Sequence, residues 1–204
     1  MKEAVILLCS PRAGGVSDTA ARLFSQGLTD AGMPVRLLPL RDYNIAPCTA
    51  CGACATPPHH CVLSDGQDAS SETDDAHLLF DAISSASLLL VASPIYFYHL
   101  PAHFKALVDR TQRFWERQHH TRRRLPEAEC RPGLAILTAG RLKGHQLFTG
   151  ALLSLRLFFA PLNISLRENR QLRGMETLAN LKERPAVTAG LYAWGHDWGR
   201  TCIA

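Results

Sequence analysis

Two short apolar runs in this chain end in the same dipeptide. Ala4-Val5-Ile6-Leu7-Leu8-Cys9 stops at Ser10-Pro11, and Leu88-Leu89-Leu90-Val91-Ala92 stops at Ser93-Pro94. A continuous apolar run of about four to eight residues closed by a turn signal reads as a strand covered on both faces, the kind found in parallel sheets. Such a strand needs helices above and below it, so the segments between the runs should be helical.

They carry that pattern. After Ser17-Asp18, a plausible cap, residues Ala20, Leu23, Phe24, Gly27 and Leu28 fall on one helical face, and Asp30-Ala31-Gly32 closes the segment. Val35 to Leu40 is a second strand candidate. Ser71-x-x-Asp74 reads as a capping box for a helix bearing Leu78, Leu79 and Ile83. Leu100, Phe104, Leu107, Val108 and Thr111 mark another helix. Gly133 to Leu137 is a fourth strand, Gln146 to Phe159 a helix, Asn163 to Leu166 a short fifth strand, and Val187 to Trp198 the closing helix. Strand–helix alternation predicts an α/β fold, a flavodoxin-like doubly wound five-stranded parallel sheet in the order 2-1-3-4-5. There is no internal repeat and no linker, so one domain over 1–204 is expected, with a cysteine-rich inserted loop at about 44–70.

Composition removes several alternatives. The chain has 204 residues, 47% of them hydrophobic, which sets aside disorder, collagen and coiled coil. Its 22 Lys+Arg against 18 Asp+Glu give +4, too mild a charge to announce a nucleic-acid partner or a polybasic membrane anchor. No apolar run approaches the roughly 18 residues that cross a bilayer. Glu3 and the shortness of Ala4–Cys9 argue against a signal peptide, so a cytoplasmic location is expected.

Ligands of open α/β sheets bind beyond the carboxyl ends of the strands, near the switch point between the first and third. The first loop there, Cys9-Ser10-Pro11-Arg12-Ala13-Gly14-Gly15-Val16-Ser17-Asp18-Thr19, leads from a strand into a helix. Free N–H groups and the positive dipole end face whatever it holds. Ser10, Ser17 and Thr19 add hydroxyls and Arg12 a fork suited to phosphate. It is neither GxGxxG nor a P-loop, and hydroxyls without a magnesium pattern favour a monophosphate; an ordinary Ser/Gly-rich turn would look similar. The second loop, Ser93 to Pro101, places Tyr96, Phe97 and Tyr98 between prolines. They cannot all point inward, so they offer either a platform for a flat conjugated ring or a packing or dimer surface. In the third, Thr138-Ala139-Gly140, glycine lets backbone approach a ligand edge.

These loops resemble those of the NADPH-dependent FMN reductase family. The likeness rests on Ser10-Pro11-Arg12-x-x-Gly15-x-Ser17, on Ser93-Pro94-Ile95-Tyr96-Phe97, on Lys105-Ala106-Leu107-Val108-Asp109-Arg110, and on the cysteine segment between them. It covers most of residues 4 to 140 and reduces to general architecture beyond. The resemblance implies bound FMN. Ser10, Arg12, Ser17 and Asp18 would hold the phosphate and its approach; Pro94, Ile95, Tyr96, Phe97, Tyr98, Thr138, Ala139 and Gly140 would line the isoalloxazine. Two departures stand out: Val16 where relatives often carry Asn, and Cys9 where Gly is common.

Seven cysteines cannot pair fully, and four crowd into Cys48-x2-Cys51-x2-Cys54-x6-Cys61. Such compact runs resemble the ligand segments of [4Fe–4S] ferredoxins, whereas structural zinc sites pair two CxxC knuckles across a longer segment. The pattern also resembles the iron–sulfur flavoproteins. A cluster at Cys48, Cys51, Cys54 and Cys61 stands against thiols that merely shape a loop, with zinc a third reading. Cys9, Cys130 and Cys202 read as buried apolar residues, and His59 and His60 as exposed loop residues.

The basic stretch Arg113 to Arg124 reads first as a solvated helix end, and second as a landing site for an NADPH 2′-phosphate or an acidic partner. The acidic residues Asp65, Asp68, Glu72, Asp74 and Asp75 read as helix N-terminal charge. The expected function is FMN-dependent oxidoreduction with NAD(P)H as donor and small molecules or redox proteins as partners. The alternative is a non-catalytic electron carrier of the flavodoxin type. A homodimer or dimer of dimers is expected, with Tyr96, Phe97, Tyr98 and Trp115 at the contact, and no nucleic-acid or membrane partner.

Overall fold

The computed structural model describes residues 2–65, 74–122 and 125–203. Five strands, β1 (Ala4–Leu8), β2 (Val35–Pro39), β3 (Leu88–Pro94), β4 (Arg131–Ala139) and β5 (Ile164–Arg173), form one sheet in the order β2-β1-β3-β4-β5. Every pairing is parallel. Ala4 stands opposite both Val35 and Leu88, and Leu90 opposite Leu134. The flavodoxin-like order is as expected.

The eight helices among the described residues are α1 (Val16–Asp30), α2 (Val62–Asp65), α3 (Ala76–Ser85), α4 (Ala102–Asp109), α5 (Gln112–Thr121), α6 (Thr149–Phe159), α7 (Leu178–Lys182) and α8 (Pro185–Ile203). Strand side chains alternate between the sheet faces, and two cores result. Ala4, Ile6, Leu8, Leu90 and Ile136 pack with Phe24 of α1 and Leu191 and Trp194 of α8. Val5, Leu7, Leu89, Val91 and Leu137 pack on the other face with Phe80, Phe104, Leu155 and Phe158 of α3, α4 and α6. No helix among the described residues is long and apolar enough to cross a membrane.

Several boundaries differ from the sequence reading. Helix α1 begins at Val16 with Gly15 as its N-cap, so Ser17 and Asp18 lie in its first turn and do not cap it. The span around Leu100 to Thr111 divides into α4 and α5, and α6 starts at Thr149 where Gln146 was expected. Strand β5 runs to Arg173, well past Leu166. Its outer half, Arg167 to Gln171, is polar because it edges the sheet, and polarity hid it. The closing helix is longer at both ends than Val187–Trp198. Ser71 of the expected capping box lies outside the described residues; α3 has Asp75 at its N-cap.

Candidate functional site

The first loop leaves β1 and turns back on itself. Ser10 Oγ donates to Arg12 O at 2.9 Å and accepts the Arg12 N–H at 3.1 Å, so its hydroxyl shapes the turn. Gly14 takes φ +64, and its N–H donates to Asp18 Oδ2 at 3.2 Å. Asp18 is fully buried. Its Oδ2 also accepts from Arg41 Nη1 at 3.0 Å, and the same nitrogen donates to Ser10 O at 3.3 Å. Asp18 therefore stands behind the loop as a brace, with its charge matched by a cation that the sequence reading had not singled out.

In front of that brace the N–H groups of the first turn of α1 have no intrahelical acceptor and point out of the helix end. A side chain at Gly15 would intrude there. A Cβ would sit 3.6 Å from Ser10 Oγ and Arg12 O and 3.7 Å from Arg12 Nε. Val16, in place of the expected Asn, is buried with Met175 and Leu181 in a small apolar cluster, so this position anchors the helix start by packing.

The second and third loops meet the first. Ile95 N–H donates to Thr138 O at 2.8 Å, and Met175 N–H donates to Ala139 O at 2.9 Å, tying together the ends of β3, β4 and β5. The three loops enclose a cavity of about 380 Å³. Ser10, Arg12, Gly15 and Ser17 line one side; Pro94, Ile95, Tyr96, Thr138 and Gly140 line the other. Met175 and Glu176 close it, and the Glu176 carboxylate lies where a Cβ on Gly140 would fall. Sequence reasoning missed both, because nothing local marks the turn after β5 as part of a site.

The remaining expected residues lie elsewhere. Ala139 is buried and contributes its carbonyl. Phe97 and Tyr98 occupy a tight turn at φ 48 and 65, closed by two Tyr96–His99 backbone hydrogen bonds at 2.9 Å. Both are in the left-handed region that bulky residues avoid. Phe97 is fully exposed, and Tyr98 Oη accepts from Arg141 at 3.1 Å.

Cys48, Cys51, Cys54 and Cys61 all line a second cavity, of about 480 Å³. Cys48 and Cys51 are exposed; Cys54 and Cys61 are half-buried, and burial pushes the Cys54 thiol pKa up. Among the described residues no three His, Cys, Asp or Glu side chains already converge as a metal's ligands, so the thiols surround the space without meeting at a point. Gly52 (φ +77) and Ala50 (φ 54) make the turns that bring them round. A buried ion pair closes the base of the segment. Arg110 Nη2 donates to Asp74 Oδ2 at 2.8 Å, Ala46 N–H donates to Asp74 Oδ1 at 3.0 Å, and Ser64 Oγ donates to Asp74 Oδ2 at 3.0 Å. Asp74 is thus an internal clamp, while Asp75 is the helix cap; Asp68 and Glu72 lie outside the described residues.

Other expectations are corrected. Cys9 is buried, but Cys130 and Cys202 are only half-buried, since each lies near an end of its element. His59 is buried: its Nδ1 lies 2.9 Å from Cys54 O and its ring packs on His120. In the basic stretch, Arg113 lies over Phe80 and Phe114, and His119 stacks on Trp115. Arg123 and Arg124 lie outside the described residues.

Comparison with known proteins agrees with this fold. A curated iron–sulfur flavoprotein of Methanosarcina thermophila is 28% identical over 102 residues, 50% of this chain and 48% of that protein, so the match spans about half of each. A flavone reductase superposes with TM-score 0.67 at 15% identity, over 100% of this chain and 63% of that one, less than two thirds of its length. An FMN-dependent NADH-azoreductase of Bacillus anthracis, solved with FMN, gives 0.64 at 13% identity over 98% and 100% of the two chains. An NAD(P)H:quinone oxidoreductase of Methanothermobacter marburgensis gives 0.59 at 17% over 99% and 96%. At these identities the superpositions establish the fold. The family model described as NADPH-dependent FMN reductase matches residues 1–163, most of the sequence and all three of the loops that form the first cavity, and the chain belongs to that family.

Proposed function

We propose that this protein is an FMN-dependent oxidoreductase that takes electrons from NAD(P)H and passes them on, with a [4Fe–4S] cluster at Cys48, Cys51, Cys54 and Cys61 as a one-electron port. The observation that carries the flavin reading is the meeting of three strand-end loops around one cavity, with the N-terminus of α1, which no side chain caps, on one side and Tyr96 on the other. Hydride acceptance and onward electron transfer are the chemistry that FMN supplies when bound.

The chain's own residues have separate tasks. The N–H groups of the first turn of α1, Ser17 and the Arg12 guanidinium bind the phosphate. Asp18, neutralised by Arg41, keeps the loop in shape without repelling the anion. Pro94, Ile95 and Tyr96 give the ring a flat apolar rest, and Thr138 and Gly140 bring backbone to its edge. Around the second cavity the donor set suits iron and sulfide: four thiols and no carboxylate among its cysteine-segment walls. Thiols kept free to hold such a cluster suit a reducing compartment, which supports the cytoplasmic reading.

The surface supports self-association. Phe97 is fully exposed, Leu153 and Leu157 expose more than half of their area, and Trp115 exposes 48%. A second copy of the chain would cover them, giving a homodimer or dimer of dimers with Tyr96, Phe97, Tyr98 and Trp115 at or near the contact.

Anaerobic reconstitution with FMN tests the reading. Rapid loss of the visible flavin absorbance on adding NADH or NADPH is expected, with iron and acid-labile sulfide in stoichiometric amount. Flavin that is not retained would overturn the proposal. Bound flavin that is reduced only by a partner protein would support the carrier reading, and flavin without iron would remove the cluster.

A further inference from the structure

Arg110 follows α4 and is almost wholly enclosed, with 1% of its side chain exposed. A guanidinium carries five N–H bonds in one plane. Here Nη1 donates to Ala46 O at 2.9 Å and to Asp74 Oδ1 at 3.0 Å, and Nη2 donates to Asp74 Oδ2 at 2.8 Å and to Ser64 Oγ. With both terminal nitrogens fixed, the direction of Nε–H is fixed too. That N–H is buried and has no partner.

An orphaned buried donor is costly, and a site that keeps one so rigidly held has a use for it. Arg110 forms part of the wall of the cavity that the four cysteines surround. Cys61 lines the same cavity and lies close enough to this guanidinium to act on it. Asp74 matches the Arg110 charge, so what the pair has left to offer is chiefly one oriented N–H.

We propose that Arg110 Nε–H, unpartnered as the chain stands, becomes a hydrogen-bond donor to the sulfur of Cys61 when an iron–sulfur cluster occupies that cavity, and that this hydrogen bond sets the cluster's reduction potential. The inference rests on the cluster reading given above. Hydrogen bonds to cluster sulfurs withdraw electron density and favour the reduced, more negative form, so the donor raises the potential. The same fork ties Ala46 and Ser64, at the two ends of the cysteine segment, to the donor's position. Segment placement and potential are therefore coupled through one side chain.

The test uses reconstituted holoprotein. Iron and sulfide are measured first; their absence overturns the cluster reading and this one with it. In cluster-bearing wild-type protein labelled with 15N-arginine, pulsed electron–nuclear resonance of the reduced state should show a coupled nitrogen and an exchangeable proton. Arg113→Lys should retain the coupling and Arg110→Lys should lose it. Arg110→Lys keeps the charge but not the Nε–H. It should lower the midpoint by the equivalent of about tenfold in the reduction equilibrium, about 59 mV for one electron. An unchanged midpoint in Arg110→Lys, or a cluster in wild-type protein with no arginine nitrogen coupled to it, overturns the proposal. If Arg110→Lys fails to assemble a cluster, the wild-type coupling decides alone.

Discussion

Arg41 reaches from the turn after β2 to Asp18 in the first turn of α1, Nη1 to Oδ2 at 3.0 Å, and closes a buried ion pair behind the loop that ends β1. The two residues are distant in sequence and belong to different elements, yet both act on that loop: Asp18 holds the Gly14 N–H and Arg41 holds the Ser10 carbonyl. A carboxylate this close to the proposed phosphate site is tolerable only because the guanidinium stands beside it. Arg41→Ala should leave the buried Asp18 carboxyl without its partner cation. Breaking a buried pair costs about 3–5 kcal/mol, and because Arg41 keeps some solvent contact, about 2 kcal/mol is expected. Thermal unfolding should fall accordingly, and an FMN titration should show about tenfold weaker binding. Adding Asp18→Asn to Arg41→Ala should recover part of the affinity. Equal losses in the single and double variants would show that the charge on Asp18 does not matter.

Gly15 separates folding from binding. Its backbone, φ −70 and ψ −178, is open to any residue, and a Cβ would make only ordinary contacts with Ser10 and Arg12. Gly15→Ala should therefore fold with a thermal midpoint close to that of wild type. The added methyl stands in the cradle before α1, so FMN should bind about tenfold more weakly, about 1.4 kcal/mol. Retained affinity in a well-folded Gly15→Ala would place the phosphate elsewhere.

Asp74 should dominate part of the acid limb of stability. Burial alone would raise its pKa, but the Arg110 hydrogen bonds, the Ala46 N–H, the Arg110 charge and Ser64 outweigh that and hold it below the ordinary 3.8. A carboxyl lowered in the folded state adds stability that is complete above its unfolded pKa and lost as pH falls through the folded one. Denaturant titrations of apoprotein should thus show an Asp74-dependent loss setting in only below about pH 4. Asp74→Asn should be less stable at neutral pH and should show a shallower acid limb. Parallel pH profiles for the two proteins would refute the assignment.

How much of this could be read in the sequence depends on range. β1 and β3 were legible because both faces are covered, leaving unbroken apolar runs, and Ser-Pro marks where each ends. Ser10, Arg12, Ser17, Pro94 to Tyr96, Thr138 and Gly140 followed, since strand ends in a parallel sheet face one side and their loops meet there. Asp18 was legible as a site residue but not as a brace, because its partner Arg41 is recruited through the β1–β2 pairing and leaves no local trace. Asp74 was hidden for the same reason: beside Asp75 it looks like helix-end charge, and only the packing of α4 brings Arg110 to it. The outer half of β5 was lost because an edge strand needs no apolar alternation on its open side.

The packing of α1 on α8 tests a feature that sequence shows only as Gly27 on the apolar face of α1 and an unremarked Gly195 in α8. A Cβ on Gly27 would collide with Tyr192 O and His196 N, and one on Gly195 with Phe24 O, so the two helices touch backbone to backbone. Phe24 and Trp194 meet edge to face at 4.8 Å beside that crossing, sealing the core under β1 and β3. Alanine at either glycine must push the helices apart. Overpacking of this kind costs about 1–3 kcal/mol, and at this chain length each kcal/mol lowers the thermal midpoint by about 2–4 °C. Gly190 lies in the same helix with open space around it, and Gly190→Ala should instead stabilise by about 0.5–1 kcal/mol through backbone entropy. Calorimetry of the three variants gives opposite signs if the crossing is as close as described. A Gly195→Ala protein as stable as wild type would mean that α8 rides further from α1.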